Sequence, residues 1–175
     1  NNLDPVSLLA RLNEIDDTLS KTLFVIITKS GGTDEVRRNL QTIMNVAETK
    51  KDFDLKKFAS NLIFITEPER EGKENFIHTL RHEIKEKTGS VIPYLENAPN
   101  IGGRFSMFSP VGMFTAEMMG LNSMELIKGA RTAFENFKAG SEAFFDLASF
   151  DIYLARNGFN TRYSMVYADS LESIN

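Results

Sequence analysis

Two short apolar runs, Leu23–Thr28 (LFVIIT) and Asn61–Thr66 (NLIFIT), decide the fold class of this chain. Both are rich in branched and aromatic side chains, and neither shows the regular polar alternation of a half-exposed strand. Runs of this kind are typical of strands that are buried on both faces of a parallel sheet. We therefore predict that each run forms a buried strand.

Outward from these runs, helical and strand patterns alternate along the chain. Two further strands are predicted, a weaker one at Val91–Tyr94 and a last one at Arg162–Ala168. The predicted helices are Asp4–Leu19, the helix containing Val36–Met44, Lys73–Thr88, Ser109–Gly120, the helix that follows Asn122, and Ser141–Asn157. This alternation predicts an α/β fold, a three-layer αβα sandwich with a mainly parallel sheet. Ligands of such folds bind at the carboxyl ends of the strands.

The length of 175 residues allows one domain with a substantial core. We expect a single domain over 1–175, with connecting helices at roughly 121–160 and the start of a next segment. After the last predicted strand, Asp169–Glu172 begins a helix that the sequence does not complete. We therefore expect a fragment that is truncated at both ends.

Composition excludes several classes of function. Acidic and basic residues are interspersed, with a net charge of −4, so we expect neither a nucleic-acid partner nor an anionic membrane surface. The chain has no cysteine, which excludes disulfides, zinc–thiolate sites and cysteine nucleophiles. No apolar run approaches the ~20 residues of a membrane-spanning helix.

The segment Thr28–Glu35 (TKSGGTDE) joins a predicted strand to a predicted helix. Its hydroxyls, glycines and unpaired amides are what a phosphate site without a metal requires. The spacing fits neither a Walker A loop nor the GxGxxG fingerprint, which disfavours a nucleotide-binding domain. An ordinary turn capped by Thr33 is an equally open interpretation of this segment alone.

A second glycine-rich segment, Gly102–Gly112 (GGRFSMFSPVG), carries an arginine just before a helix. Ser109 and Pro110 are predicted to be the N-cap and the first helical residue. Arg104 keeps its positive charge at any working pH, and the glycines before it let backbone approach a ligand closely. This pattern suits a small anion or a developing oxyanion.

Taken together, the two segments indicate one protein family far more specifically than either segment does alone. Val25–Glu35 resembles the phosphate-binding segment of a sugar isomerase (SIS) domain, and Ile101–Gly112 resembles the signature of the glucose-6-phosphate isomerase family. One departure is Pro99, where that family usually has a small polar or acidic residue. The opening Asn2–Pro5 and the stretch Tyr163–Asp169 are also similar to this family.

The resemblance implies an SIS fold and the interconversion of glucose 6-phosphate and fructose 6-phosphate through a cis-enediol, in glycolysis and gluconeogenesis. It implies that Thr28, Lys29, Ser30 and Thr33 bind the sugar phosphate. Arg104, with Gly103 giving close backbone approach, would then act catalytically at the reacting carbons. It further implies a cytoplasmic homodimer that needs no cofactor and no metal.

The resemblance implies that the family's base is a glutamate in a Glu-x-x-Gly-Lys segment, which we expect to lie shortly beyond this chain. We therefore assign neither base nor ring-opening residue, and we expect the chain alone to have no isomerase activity. An alternative is a non-catalytic SIS module that binds a phosphosugar as a regulatory ligand. Such a module has no need of the Gly102–Ser106 segment, which favours the enzyme.

Other candidate residues have plainer interpretations. His78 and His82 share a helical spacing that suits a metal, but without a third ligand we interpret them as part of a solvated helix face. The methionines at 113, 118 and 119, together with Phe114, are predicted to fill the core. The phenylalanines of Phe134–Phe150 are predicted to fill the core, with a subunit contact as the alternative. Lys50–Asp54 and Glu67–Lys73 are predicted to be surface loops.

Overall fold

The computed structural model describes residues 5–159 and 161 of the chain. Within these residues, three parallel strands form one sheet in the order β1-β2-β3. Their bounds are β1 Phe24–Ile27, β2 Leu62–Thr66 and β3 Tyr94–Glu96. Phe24 is level with Leu62 across the first pair, and Phe64 is level with Tyr94 across the second. The carboxyl ends of all three strands therefore lie along the same edge of the sheet.

Both apolar runs form strands as predicted. Phe64, Ile65 and Thr66 have no exposed surface, as expected for a central strand covered on both faces. The third strand lies three residues later than predicted, because its ladder begins after Pro93. Proline has no N–H to donate, and its carbonyl accepts from the Phe64 amide at 3.2 Å instead. The predicted strand Arg162–Ala168 and helix start Asp169–Glu172 lie outside the described residues.

Helices flank this sheet, as an αβα sandwich requires. The α-helices are α1 Pro5–Glu14, α2 Asp34–Glu48, α3 Leu55–Ala59, α4 Phe76–Thr88, α5 Pro110–Met118, α6 Ser123–Lys138 and α7 Glu142–Arg156, with short 3-10 helices at Asp16–Lys21 and Gly103–Phe105. The predicted first helix is thus split near Ile15. The short α3 was not predicted, and it begins where Asp54 accepts hydrogen bonds from the amides of Lys56 and Lys57.

Local capping residues set most of the other helix ends. Asn75 accepts from the Ile77 amide and starts α4 three residues after the predicted Lys73. Gly89, at φ 74°, ends α4, and Gly158, at φ 86°, follows α7, both as predicted.

The core lies between the sheet and the helices α1 to α4, with Leu12, Leu40, Phe58, Leu62 and Ile84 among its members.

The chain divides into two compact units, Asn1–Ser123 and Met124–Asn175. Within the described part of the second unit, Phe137 stacks on Phe145 with ring centroids 5.9 Å apart, and no residue of α7 is buried. The prediction that Phe134–Phe150 fills a core is therefore wrong for these residues, since Phe134 is 58% exposed. In the first unit the prediction also fails for Met118 and Met119, because the buried side of α5 consists of Ala116.

Candidate functional site

The first glycine-rich loop connects β1 to α2 at the carboxyl edge of the sheet. Thr28 continues the sheet, because its amide donates to the Ile65 carbonyl at 3.0 Å. The residue is 4% exposed, and among the described residues its Oγ1 has no hydrogen-bond partner. Buried hydroxyls are nearly always bonded, so an unpartnered one is a feature that ligand sites commonly show.

Lys29 is the point at which this loop is tied to β2. Its carbonyl oxygen accepts from the Glu67 amide at 2.9 Å and from Thr66 Oγ1 at 3.2 Å. Ser30, the next residue, is exposed. The loop is thus fixed from within at one peptide, while Ser30 and Thr33 are exposed and Thr28 is buried.

Gly31 has a backbone conformation that other residues rarely adopt. Its φ is +73°, and a Cβ built on it would lie 2.2 Å from Asn75 Oδ1. Gly31 is itself buried. Both the dihedral angle and the contact therefore require glycine at this turn.

Thr33 occupies the N-cap position of α2, but its side chain makes no capping hydrogen bond. The interpretation as an ordinary turn capped by Thr33 thus lacks the bond that would support it. Asp34 and Glu35 lie in the first turn of α2, as predicted. There their carboxylates complement the positive end of the helix dipole.

The second glycine-rich segment is held by bonds between near neighbours in sequence. Ser106 Oγ donates to the Gly103 carbonyl at 2.6 Å, and Ser109 Oγ donates to the Ser106 carbonyl at 2.7 Å. Ser109 also accepts from the Val111 amide at 3.2 Å, so it caps α5, and Pro110 is the first helical residue as predicted. The segment is thereby fixed directly in front of a helix.

Arg104 lies on the outer side of this segment. Its side chain is exposed, and among residues 5–159 and 161 its guanidinium has neither an ion-pair nor a hydrogen-bond partner. A Cβ built on Gly103 would meet nothing within 4 Å, so packing does not explain that glycine. Both observations leave this stretch of backbone and its cation available to a ligand.

The two segments follow strands whose carboxyl ends lie at the same edge of the sheet. The Asn97 amide, just after β3, donates to the Thr66 carbonyl at 2.7 Å. Because β2 lies between β1 and β3, the ends of those two strands are about 10 Å apart. No hydrogen bond or ion pair between described residues joins Arg104 to the Thr28–Thr33 loop, so a shared crevice stays a prediction.

Comparison with known proteins relates both segments to one family. A family model described as phosphoglucose isomerase matches residues 1–174. The chain belongs to the phosphoglucose isomerase family. The resemblance carried by the two glycine-rich segments is thereby confirmed.

Curated relatives support this membership. Glucose-6-phosphate isomerase from Carboxydothermus hydrogenoformans is 34% identical over 98% of this chain and 34% of its own length. The enzyme from Rubrobacter xylanophilus is 33% identical over 99% of this chain and 38% of its own length. The chain therefore spans about a third of the length of these relatives.

A solved structure shows the same fold. The crystal structure of a hypothetical protein from Thermus thermophilus superposes with a TM-score of 0.63 and 26% identity. The match covers 78% of this chain and 29% of that one. It agrees with a parallel sheet flanked by helices in this family member.

Sequence reasoning missed three polar residues near the carboxyl edge of the sheet of this chain. Thr66, Asn75 and Asn97 are all buried, and Asn97 Oδ1 has no hydrogen-bond partner in the part of the chain that the structure describes. Thr66 closes a predicted strand, which was a usable signal, because polar residues at strand ends commonly face ligands in α/β folds. Asn75 and Asn97 are both placed by their contacts with Thr66, and no local sequence pattern predicts those contacts.

The interpretation of His78 as part of a solvated face is wrong. The ring is 4% exposed, and its Nε2 lies 2.8 Å from the Glu67 carbonyl. Arg81 Nη1 lies 3.2 Å from His78 Nδ1. Because a guanidinium can only donate, Nδ1 accepts and the proton on Nε2 is donated to Glu67. His78 is therefore a buried structural residue.

His82 fits the prediction of a solvated position. It lies 2.8 Å from Glu69 Oε1, and both side chains are more than half exposed. The hydrogen bond from His82 holds the pKa of Glu69 below its ordinary value. Within the described residues, no group of three or more histidines and carboxylates is placed to hold a metal ion.

The segment Glu67–Lys73, predicted to be a surface loop, is not uniformly exposed. Glu67 is 3% exposed and pairs with Lys73, whose side chain remains about half exposed. A buried carboxylate needs such a partner because its charge is costly to remove from water. In Lys50–Asp54, residues 51, 52 and 54 are exposed as predicted, whereas Lys50 and Phe53 are half-buried. No described helix has the length and apolarity to cross a bilayer.

Proposed function

We propose that the full-length protein interconverts glucose 6-phosphate and fructose 6-phosphate through a cis-enediol intermediate. The observation that carries this proposal is the family match over residues 1–174, which includes both glycine-rich segments. The curated relatives are named glucose-6-phosphate isomerases. Since the chain spans about a third of those relatives, the activity is assigned to the whole protein.

We assign the phosphate group to the first loop, with Thr28, Lys29, Ser30 and Thr33 as its binding residues. Within residues 5–159 and 161 the hydroxyl of Thr28 lacks a partner and that of Thr33 makes no capping bond, so both are available as donors. The amides at the start of α2 add donors and the favourable end of a helix dipole. Phosphate recognition here requires no metal ion.

We assign the reacting end of the sugar to Arg104 and the backbone of Gly103. Removing a proton next to a carbonyl places negative charge on oxygen, and a fixed guanidinium stabilises that enediolate more than the neutral sugar. Arg104 is exposed and unpaired among the described residues, so its charge is not neutralised in advance. Such a donor typically lowers the activation free energy by about 3–4 kcal/mol.

Arg104 does not remove the proton, because its pKa is too high for a base. Glu69–Lys73 matches the Glu-x-x-Gly-Lys spacing, but it precedes Gly102–Gly112, and its Glu69 is an exposed carboxylate paired with His82. The resemblance implies a base that follows Gly102–Gly112, so we place the base and the ring-opening residue outside residues 1–175. Ring opening, proton transfer and charge stabilisation are thus divided between this chain and the rest of the protein. We further propose an SIS-type domain in a cytoplasmic homodimer, on the strength of the family resemblance.

The test is conversion of fructose 6-phosphate to glucose 6-phosphate by the full-length protein, followed with a coupled dehydrogenase. We expect turnover without added metal or cofactor, and competitive inhibition by inorganic phosphate. Binding of a sugar phosphate without turnover would overturn the enzymatic proposal and favour a regulatory SIS module. Ser30→Ala tests the assignment of the phosphate to the first loop, through an increased inhibition constant for inorganic phosphate.

A further inference from the structure

The Lys29 carbonyl is buried against β2 by two donors. The Glu67 amide lies at 2.9 Å from it and Thr66 Oγ1 at 3.2 Å. A carbonyl oxygen has two acceptor sites, so these bonds use both of them and fix the plane of the Lys29–Ser30 peptide. In a trans peptide the carbonyl and the following N–H point in opposite directions. Turning the Lys29 carbonyl towards β2 therefore turns the Ser30 N–H away from it.

The Thr66 hydroxyl is itself oriented by Asn75. Asn75 Nδ2 donates to Thr66 Oγ1 at 2.9 Å, while Asn75 Oδ1 accepts from the Ile77 amide at 3.0 Å. The Ile77 amide identifies which end of the side-chain amide is the oxygen, so Nδ2 must face Thr66. Since Thr66 Oγ1 accepts from Asn75, its own proton is directed to Lys29. The hydrogen bonds thus run in one direction, from Asn75 to Thr66 and from Thr66 to the Lys29 carbonyl.

This chain is shielded from water. Thr66 is fully buried and Asn75 is 8% exposed, so solvent does not replace either bond readily. Asn75 also lies against Gly31, where a Cβ would approach its Oδ1 to 2.2 Å. The next peptide, through the Glu67 carbonyl, is held by His78, whose Nε2 lies 2.8 Å from that oxygen. The first loop is therefore shaped by buried groups that do not belong to it.

We propose that Thr66 and Asn75 are positioning residues for the ligand site of the Thr28–Thr33 loop. They hold the Lys29 carbonyl inward so that the Ser30 amide points outward, towards a phosphate monoester. An outward amide is a favourable donor to an anion, whereas an outward carbonyl would repel it. This inference rests on the proposed assignment of the phosphate to this loop.

The test compares Thr66→Val with Thr66→Ser in the full-length protein. Valine keeps the shape and removes the hydroxyl, and serine keeps the hydroxyl. For Thr66→Val we expect the KM for fructose 6-phosphate and the inhibition constant of inorganic phosphate to rise together by about tenfold, with kcat changed by less than about twofold. Thr66→Ser is expected to restore both constants.

Two more variants keep the test decisive. Asn75→Asp retains the cap of α4 but replaces the Nδ2 donor with an acceptor, so the Thr66 hydroxyl would donate to it instead of to Lys29. We expect the same rise in both constants, which keeps the inference testable if Thr66→Val does not fold. Thr88→Val is the matched control, since it removes a helix-end hydroxyl bond of 2.7 Å far along α4 and is expected to leave both constants unchanged.

The possible failures are distinguishable. If Ser30→Ala leaves the inhibition constant of phosphate unchanged, the first loop is not the phosphate site and the underlying assignment fails. If Ser30→Ala raises that constant while Thr66→Val and Asn75→Asp do not, the positioning inference alone is overturned. It is also overturned if Thr66→Ser behaves like Thr66→Val, because the hydroxyl would then not be the group that matters.

Discussion

The two glycine-rich segments have similar compositions but are held in different ways. The Thr28–Thr33 loop is fixed through Lys29 and Gly31 by residues 66, 67 and 75, which lie more than thirty positions further along the chain. The Gly102–Ser106 segment is fixed by its own serine, three residues from the carbonyl it bonds. The first loop is preorganised by the sheet, whereas the second presents, on a locally folded turn, a cation that no other described residue pairs with. A preorganised loop suits the binding of a fixed anion, and an exposed cation suits the stabilisation of negative charge that develops during a reaction.

The largest expected effect is on the second segment. Arg104→Ala in the full-length protein should lower kcat by about 10²–10³-fold, because removing one donor to a developing oxyanion typically has this effect. The inhibition constant of inorganic phosphate should change little, since phosphate is assigned to the other loop. Steady-state kinetics with phosphate as inhibitor measures both quantities.

Arg104→Lys is the control for charge. Lysine keeps the positive charge but lacks the planar fork of donors, so we expect a kcat between those of the wild type and Arg104→Ala. An Arg104→Ala protein with unchanged kcat would remove Arg104 from the reaction. A large loss of phosphate affinity in the same variant would show that the two segments do not divide the work as proposed.

The next largest effect concerns the first loop. Gly31→Ala should destabilise the folded protein by about 1–3 kcal/mol, because a left-handed φ of +73° is strained for alanine. The added Cβ also meets Asn75 Oδ1, so the phosphate inhibition constant should rise as well. Thermal unfolding and phosphate inhibition are the measurements.

Gly32→Ala is the matched control within the same loop. Its φ is not left-handed, and a Cβ there would meet Ser30 Oγ at an ordinary contact distance of 3.5 Å. We expect a much smaller loss of stability than for Gly31→Ala. Equal losses from both variants would contradict the view that Asn75 and the left-handed turn make Gly31 special.

A third prediction applies the same change to the second segment. Gly103→Ala should leave the free energy of unfolding within about 0.5 kcal/mol of the wild type, because no atom lies within 4 Å of the added Cβ. If a substrate approaches this backbone closely, kcat/KM should nevertheless fall by about tenfold. A normal kcat/KM in Gly103→Ala would argue against close approach at this position.

The contrast between the segments also explains what the sequence could predict. Ser109 as N-cap and Gly89 as helix terminator were predictable, because these features depend on a few adjacent residues. The apolar runs of β1 and β2 were predictable because a buried parallel strand has a distinctive composition. The candidate ligand residues came from the same local patterns together with a family resemblance.

Contacts between distant segments were beyond local patterns. The burial of His78 and the link from Asn75 to Thr66 arise where β2 and α4 meet, and neither residue has a neighbour in sequence that signals it. The third strand was misplaced because Val91 and Ile92 are apolar, although Pro93 delays the ladder. Apolar composition also overestimated burial in α5 and α6, where Met118 and Phe134 are more than half exposed.

The smallest expected effect tests whether buried bonds alone support the first loop. Glu69 and His82 form a pair between the β2–α4 connection and α4, with 53% and 56% of their side chains exposed. Exposed pairs of this kind contribute little, because water screens their attraction. His82→Ala should therefore leave the KM for fructose 6-phosphate and the inhibition constant of inorganic phosphate unchanged. The thermal unfolding midpoint at neutral pH should also stay the same.

The same variant should nevertheless change the titration of one carboxyl. The hydrogen bond from His82 lowers the pKa of Glu69 from its ordinary value of 4.5, so in His82→Ala that pKa should rise, as followed by carboxyl NMR. Because the folded-state pKa is depressed, the pair's small contribution to stability is present above the unfolded-state pKa and is lost as the pH falls through the folded-state pKa. A raised Glu69 pKa with an unchanged KM would confirm that this pair is separate from the loop. A raised KM would mean that a solvent-exposed pair also helps to shape the phosphate site, and the contrast between a loop held by buried bonds and a locally folded turn would weaken.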